Sequence, residues 1–185
     1  VKIRGERLTE LAAARGVSPV QLAQAVERVG LKGEHAATAV RNWMRGNDHP
    51  RCKAADCQKM ASLLGVEVKD IVKFTCQLKN HRGSPRKAKL VIDLIRGKKY
   101  ETALNMVTFT TKRAAVNIKK ALLSAYKAAE DAGADAGRLY VVESACDDGV
   151  RMKRFQPKDR GRAHSIIKRS ANLVISLAEK ASTKK

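Results

Sequence analysis

Aromatic side chains are scarce: 4% of 185 residues, with one Trp, three Tyr and three Phe. Any core must therefore be built from Ala, Leu, Val and Ile, and a hydrophobic content of 44% allows a modest one. The length fits one or two domains. No apolar run approaches the ~18 residues of a membrane span, and the first residues lack the basic, apolar and small-residue order of a secretory leader. No membrane partner is expected, and the expected location is the cytoplasm. Cysteine is limited to Cys52, Cys57, Cys76 and Cys146. His49 with Cys52 and Cys57 gives H-x2-C-x4-C, but no second Cys or His pair completes a zinc site. Reduced thiols packed as small hydrophobes are the expectation, with no metal. There is no Gly-rich phosphate loop, no carboxylate pair with a metal partner, and no Ser/His/Asp or Cys/His set. No catalytic residue and no cofactor are expected, and an enzyme is excluded.

Acids are the other shortage. Eighteen Asp and Glu face 38 Lys and Arg, a net charge of +20, with a pI near 10.2. Such an excess calls for a polyanionic partner. It is concentrated in one stretch. Val142 to Leu177 alternates at both ends in strand fashion, with Leu173, Ile175 and Leu177 on one face and Asn172, Val174 and Ser176 on the other. Between the ends, Arg151, Lys153, Arg154, Lys158, Arg160, Arg162, Lys168 and Arg169 oppose the single acid Asp159. This reads as a long antiparallel hairpin over about residues 141–177. Two arms of a dozen residues would project roughly 40 Å. An arm so charged repels itself and has no core, so it needs an anion to lie against, and nucleic acid fits best. A solvated loop is the alternative reading, and the flanking alternation argues against it.

The rest of the chain divides near Lys79 to Pro85. Residues 1–72 read as an all-α unit and residues 73–185 as a second unit. Helices are expected over ERLTELAAAR, over SPVQLAQAVERV with Leu22, Val26 and Val29 inward, from His35 to Arg45 with Ala36, Val40 and Trp43 inward, and over CKAADCQKMASLLG. The order Leu8, Leu11, Gly16, Ser18, Leu22, Ala23, then Trp43, Arg45 and Gly46, then Leu63 to Val66 and Ile71 resembles the helix-turn-helix repressor fold over residues 6–74. In that fold the Trp43 helix enters a major groove. The positions that the resemblance would bring to base edges are largely Ala36, Ala37 and Ala39, which donate no hydrogen bond, leaving Thr38, Arg41 and Asn42 as contacts. A DNA-binding regulator acting through this unit is the alternative function.

Lys73 to Asn80 alternates as a short strand with Phe74, Cys76 and Leu78 on one face. Ser84-Pro85 opens a helix with Leu90, Val91, Leu94 and Ile95 as its stripe. Arg86, Lys87 and Lys89 occupy its first turn, where cations oppose the helix dipole; this argues for an anion nearby, against a merely solvated helix end. Lys98 and Lys99 follow, then a short helix from Tyr100. A longer helix is expected with Thr110 or Thr111 as its cap. Its stripe is Ala114, Ala115, Ile118, Leu122, Ala125, Tyr126 and Ala129, and Lys112, Arg113, Lys119 and Lys120 coat its other side.

Ser84 to Leu104 (SPRKAKLVIDLIRGKKYETAL) is followed in order by VTFTTKRAA, the acidic turn Asp147-Asp148-Gly149, Met152-Lys153-Arg154, PKDRGRA from Pro157, and Ile167 to Ser170. Over about residues 73–180 this resembles the universal ribosomal protein family of bacterial large-subunit protein number twenty-two. The resemblance implies an α+β fold: three helices on a small antiparallel sheet, with a long extended β-hairpin, here preceded by the helix-turn-helix-like unit. It implies a structural constituent of the large ribosomal subunit. The implied partners are large-subunit ribosomal RNA, neighbouring ribosomal proteins and the nascent peptide. The tip, Met152, Lys153, Arg154, Phe155, Gln156, Pro157, Lys158, Asp159, Arg160, Gly161 and Arg162, would line the peptide exit tunnel. Arg86, Lys87, Lys98, Lys99, Lys112 and Arg113 would meet RNA. Lys89, Lys119, Lys120 and the cations of the arm, Arg151 to Arg169, are expected to do the same. Phe155 or His164 would stack on a base; for Phe155 the alternative is packing against the opposite arm.

Overall fold

The computed structural model describes residues 2–180. Val1 and residues 181–185, the outer ends of the two expected units, lie outside the described residues. Buried apolar side chains fall into two clusters that divide along the chain between Val72 and Phe74.

The first cluster belongs to helices α1 (Gly5–Arg15), α2 (Pro19–Val26), α3 (Glu34–Met44), α4 (Ala54–Leu64) and the single turn α5 (Val68–Ile71). A capping box at Ser18 and Gln21, with Pro19 at the first helical position, starts α2. Gly16 and Gly65 close α1 and α4 in the left-handed conformation, the cheap way for an L-chain to end a helix. Leu8, Leu22, Val40, Trp43 and Met60 fill the centre. The Trp43 indole N–H donates to the Pro50 carbonyl at 2.7 Å, so the one large ring is buried without an orphaned donor. Cys52 and Cys57 pack here as free thiols 3.5 Å apart. No group of three or more His, Cys, Asp or Glu able to hold a metal occurs among the described residues. The second helix ends earlier than its periodicity implies. The chain turns at Glu27, and Val29, expected inside, is 98% exposed.

The second cluster lies between a sheet and helices α6 (Pro85–Ile95), α7 (Tyr100–Phe109) and α8 (Arg113–Glu130). The strands are β1 (Lys2–Ile3), β2 (Val72–Arg82), β3 (Leu139–Asp148), β4 (Met152–Pro157), β5 (Ala163–Lys168) and β6 (Ser170–Glu179). The antiparallel sheet has the order β1-β2-β6-β3, while β4 and β5 pair only with each other. The architecture is thus the expected α+β one. Leu173, Ile175 and Leu177 of the central strand β6 are fully buried, as their alternation requires. In α6 the docked stripe is Ala88, Val91, Ile92 and Ile95, and Leu90 and Leu94 stay about half exposed. That corrects the expected stripe, because small Ala88 lets the helix sit close to the sheet. The long helix begins one or two residues later than expected. Lys112, not a threonine, is its N-cap, and the Thr110 hydroxyl instead donates back to Met106 O at 2.7 Å.

Both ladders made by β6 carry an irregularity that bends the neighbouring strand. In β2 the register shifts between Leu78 and His81. Asn80 takes φ 54° there, its N–H held by Asn172 Oδ1 at 2.9 Å. The shift turns His81 inward. In β3 the shift at Val141/Glu143 brings the Glu143 carboxylate to Lys73 Nζ at 2.7 Å and to the Ser176 hydroxyl at 3.2 Å. Burial pushes the Glu143 pKa up; Lys73, Ser176 and the charge of Lys2 outweigh it, and the carboxyl sits below its ordinary 4.5. A depressed folded-state value means stability that is present above the unfolded pKa and is lost as pH falls through the folded one. Glu143→Gln should therefore be less stable than the parent at neutral pH. The gap should narrow as pH falls below 4.5, measured as urea midpoints along a pH series. A constant gap down to pH 3 would show that the pair does not contribute through charge.

Candidate nucleic-acid interface

Beyond the sheet, β3 and β6 lead into an arm. The waist lies at Gly149 and Ser170, where Gly149 N–H donates to Ser170 O at 2.9 Å and the Ser170 hydroxyl to Val150 O at 2.6 Å. A Cβ at Gly149 would stand 2.5 Å from that hydroxyl, so glycine lets the two strands approach. Past the waist the ladder re-forms as β4 and β5, each six residues. It projects roughly 20 Å. The expected 40 Å counted the proximal strands, which are spent inside the sheet. The turn is closed by Lys158 N–H to Arg162 O at 2.8 Å and Arg162 N–H to Asp159 O at 3.2 Å. Arg160 and Gly161 both have positive φ, 54° and 68°, the sign at both central positions that matches the right-handed strand twist.

No side chain of β4 or β5 is buried. Paired residues share a face. Arg154 and Gln156 lie with Ile166 and His164 on one side; Lys153, Phe155 and Pro157 lie with Ile167, Ser165 and Ala163 on the other. Phe155 faces only Ser165 across the ladder and is 78% exposed, which corrects the reading that it packs on the opposite arm. Arg151 is paired with Asp148 at 2.6 Å. The other arm cations, Lys153, Arg154, Lys158, Arg160, Arg162, Lys168 and Arg169, are exposed and form no ion pair among the described residues.

More cations gather at the root. The Gly83 N–H bonds Arg169 O at 3.3 Å, and the Cys146 thiol bonds Pro85 O at 3.5 Å. These contacts place the first turn of α6, with exposed Arg86, Lys87 and Lys89, against the arm's base. The start of α8 comes to the same end. Asn117 Nδ2 donates to His81 Nδ1 at 2.7 Å, and burial followed by the charge of nearby Arg113 lowers the His81 pKa below 6.5. The ring is thus a neutral structural acceptor, while Lys112 and Arg113 point out. Arg82, exposed and paired in register with Ser170, belongs to this group. It falls in the stretch expected to be a joint, and because it ends a strand while Arg86 opens a helix, no period links the two. Lys119 and Lys120 lie farther along α8. Lys98 and Lys99 do not join the root. Lys98 O accepts from Val141 N and Lys99 bridges Tyr140, roughly 25 Å along β3 from the waist.

The helix-turn-helix-like unit offers much less. Ala36 is fully buried with Val40 and Trp43, as its inward assignment requires, so it cannot also reach a base edge, and Ala39 is fully buried as well. Asn42 Nδ2 is committed to His49 O at 2.9 Å, which leaves Thr38 and Arg41 exposed.

Residues 76–178 match the family described as ribosomal protein L22p/L17e. Over 104 residues the chain is 45% identical to the protein named large ribosomal subunit protein uL22 from Mycoplasmopsis agalactiae, an alignment covering 56% of this chain and 91% of that one.

Proposed function

Because the chain belongs to the ribosomal protein L22p/L17e family, we propose that its basic arm threads into large-subunit ribosomal RNA and that the tip, Met152 to Arg162, lines the nascent-peptide exit tunnel. The protein is a structural constituent of the large subunit of the cytoplasmic ribosome, where it binds ribosomal RNA beside other ribosomal proteins. Among the described residues no helix is long and apolar enough to cross a membrane. The role is structural rather than catalytic.

The observation that carries the proposal is the arm itself: two paired strands with no buried side chain and, Arg151 apart, cations that form no ion pair among the described residues. In water this is an unfavourable object, and phosphate turns each cation into an attraction. Lys153, Arg154, Lys158, Arg160, Arg162, Lys168 and Arg169 would contact phosphate. So would Arg86, Lys87, Lys89, Lys112 and Arg113 at the root, with Lys119 and Lys120 along α8 and Lys98 and Lys99 at the far end. Recognition would be by backbone and shape rather than base edges. Phe155 and His164 are exposed for stacking on an unpaired base. Residues 1–72 form a separate unit, supported by its own buried cluster and by its position before the family match.

The test is sedimentation of a cell lysate through sucrose before and after mild ribonuclease. Co-migration with the large subunit, released by the nuclease, is the expected result. A protein that sediments alone, or with DNA, sinks the proposal. A chain lacking residues 1–72 should still enter the subunit.

A further inference from the structure

The family match leaves the N-terminal unit without a role, and its junction with the sheet supplies one. β1 lies along the first residues of β2, and a trough runs over this seam. Its widest part, about 480 Å³, lies between the first turn of α1, the end of α3 and the sheet, and is lined by the cations Arg4, Arg7, Arg45, Lys73 and Lys180 against the acids Glu6 and Glu10. It continues past Lys2 and Lys73 to Arg51, Thr75 and Gln77. We propose that this trough is a second RNA contact, which holds a stretch of sugar–phosphate backbone and adds to the grip of the arm without being required for entry into the subunit.

Several of its cations are already engaged. Arg7 pairs with Glu10 at 2.9 Å and Lys73 with Glu143 at 2.7 Å. Arg4 donates to Glu179 O at 2.9 Å and to the Tyr140 hydroxyl at 3.0 Å, which fastens the unit to the sheet end opposite the arm. Asp48 accepts from Cys52 N–H at 3.1 Å. Lys2, Arg45, Arg51 and Lys180 form no ion pair among the described residues. They are spread along the trough rather than gathered in one pocket. A small-molecule site is concave and mostly apolar with a few polar groups; here Ile3, Met44 and Val142 are the apolar minority of the widest part. Separated cations along an open channel fit a polymer of evenly spaced negative charge. The inference rests on the RNA-binding reading of the chain, and its experiment separates the two.

The full-length protein carrying Arg45→Gln, Arg51→Gln and Lys180→Gln is compared with the parent for binding to a large-subunit ribosomal RNA transcript across a salt series. A second triple variant, Arg15→Gln, Lys32→Gln and Lys59→Gln, makes the same charge change at exposed positions of the N-terminal unit outside the trough. Each phosphate contact contributes about 0.7–0.9 to the slope of log K against log salt. The trough variant should lose about 2–3 from that slope, while the second triple should match the parent. Equal slopes for the trough variant and the parent, or equal losses in both triples, overturn the trough. A trough variant with an unchanged RNA slope that loses a neighbouring subunit protein overturns it in favour of a protein contact. A parent that does not bind the transcript overturns instead the broader RNA-binding reading.

Discussion

Reversing two charges at the arm, Lys153→Glu with Arg154→Glu, should strip the protein from the large subunit at salt concentrations that leave the parent bound. From Arg151 to Arg169 eight cations face one acid, and the double reversal leaves six facing three. Losing two phosphate contacts alone lowers the salt slope by roughly 1.4–1.8, and each new carboxylate adds repulsion where attraction stood. The fold has no stake in either side chain. Both are exposed on β4, their cross-strand partners are Ile167 and Ile166, and Arg154 bonds only the carbonyl of Lys153, at 2.8 Å. Exposed substitutions of this kind change stability by about 0.5 kcal/mol or less. An unchanged circular-dichroism melt together with movement to the top of a sucrose gradient in moderate salt is the expected pair of results. A variant that co-sediments like the parent through the whole salt range would show that the arm does not dock through these residues.

The arm was legible in the sequence because its two signals are independent. Leu173, Ile175 and Leu177 alternate, and the stretch before them has almost nothing to bury. The helices of the second unit were legible as elements but less so as faces. In α6, Leu90 to Ile95 contains a single polar residue, Asp93, so stripes built on Leu90 and Leu94 or on Ala88 and Ile92 are both compatible with a 3.6-residue period. Only packing against the sheet selects the one with alanine. Long side chains draw attention in a sequence, while small ones permit close packing. Val29 shows a different failure. Its periodicity ran on past the true end of α2, because Glu27 leaves the helix with no Gly or Pro to mark the spot. The gathering of Arg82, Arg86, Arg113 and Arg169 at one root was out of reach from spacing. It depends on the β2 irregularity and on which end of α8 meets His81, and both are decided by packing.

Trp43 makes the division of the chain measurable, since it is the one Trp and is buried in the N-terminal cluster. Its fluorescence reports that unit alone, whereas far-ultraviolet circular dichroism reports both. Ile118 is fully buried on α8, in the other cluster. Ile118→Ala should cost about 2–5 kcal/mol through lost transfer energy and the cavity left behind. At about 2–4 °C per kcal/mol for a chain of this size, the sheet unit should melt roughly 5–20 °C lower. If residues 1–72 form their own cooperative unit, the Trp43 transition stays within a few degrees of the parent while the circular-dichroism curve splits in two. The seam sets the limit on that independence. β1 on β2, Arg4 on Tyr140 and the Lys73–Glu143 pair are polar or short contacts, few beside the two apolar clusters. They hold the units in register without merging their cores. A Trp43 transition that falls in step with the sheet would show instead that these contacts couple the two clusters into one cooperative fold. The N-terminal unit would then be a part of the ribosomal domain and not an addition to it.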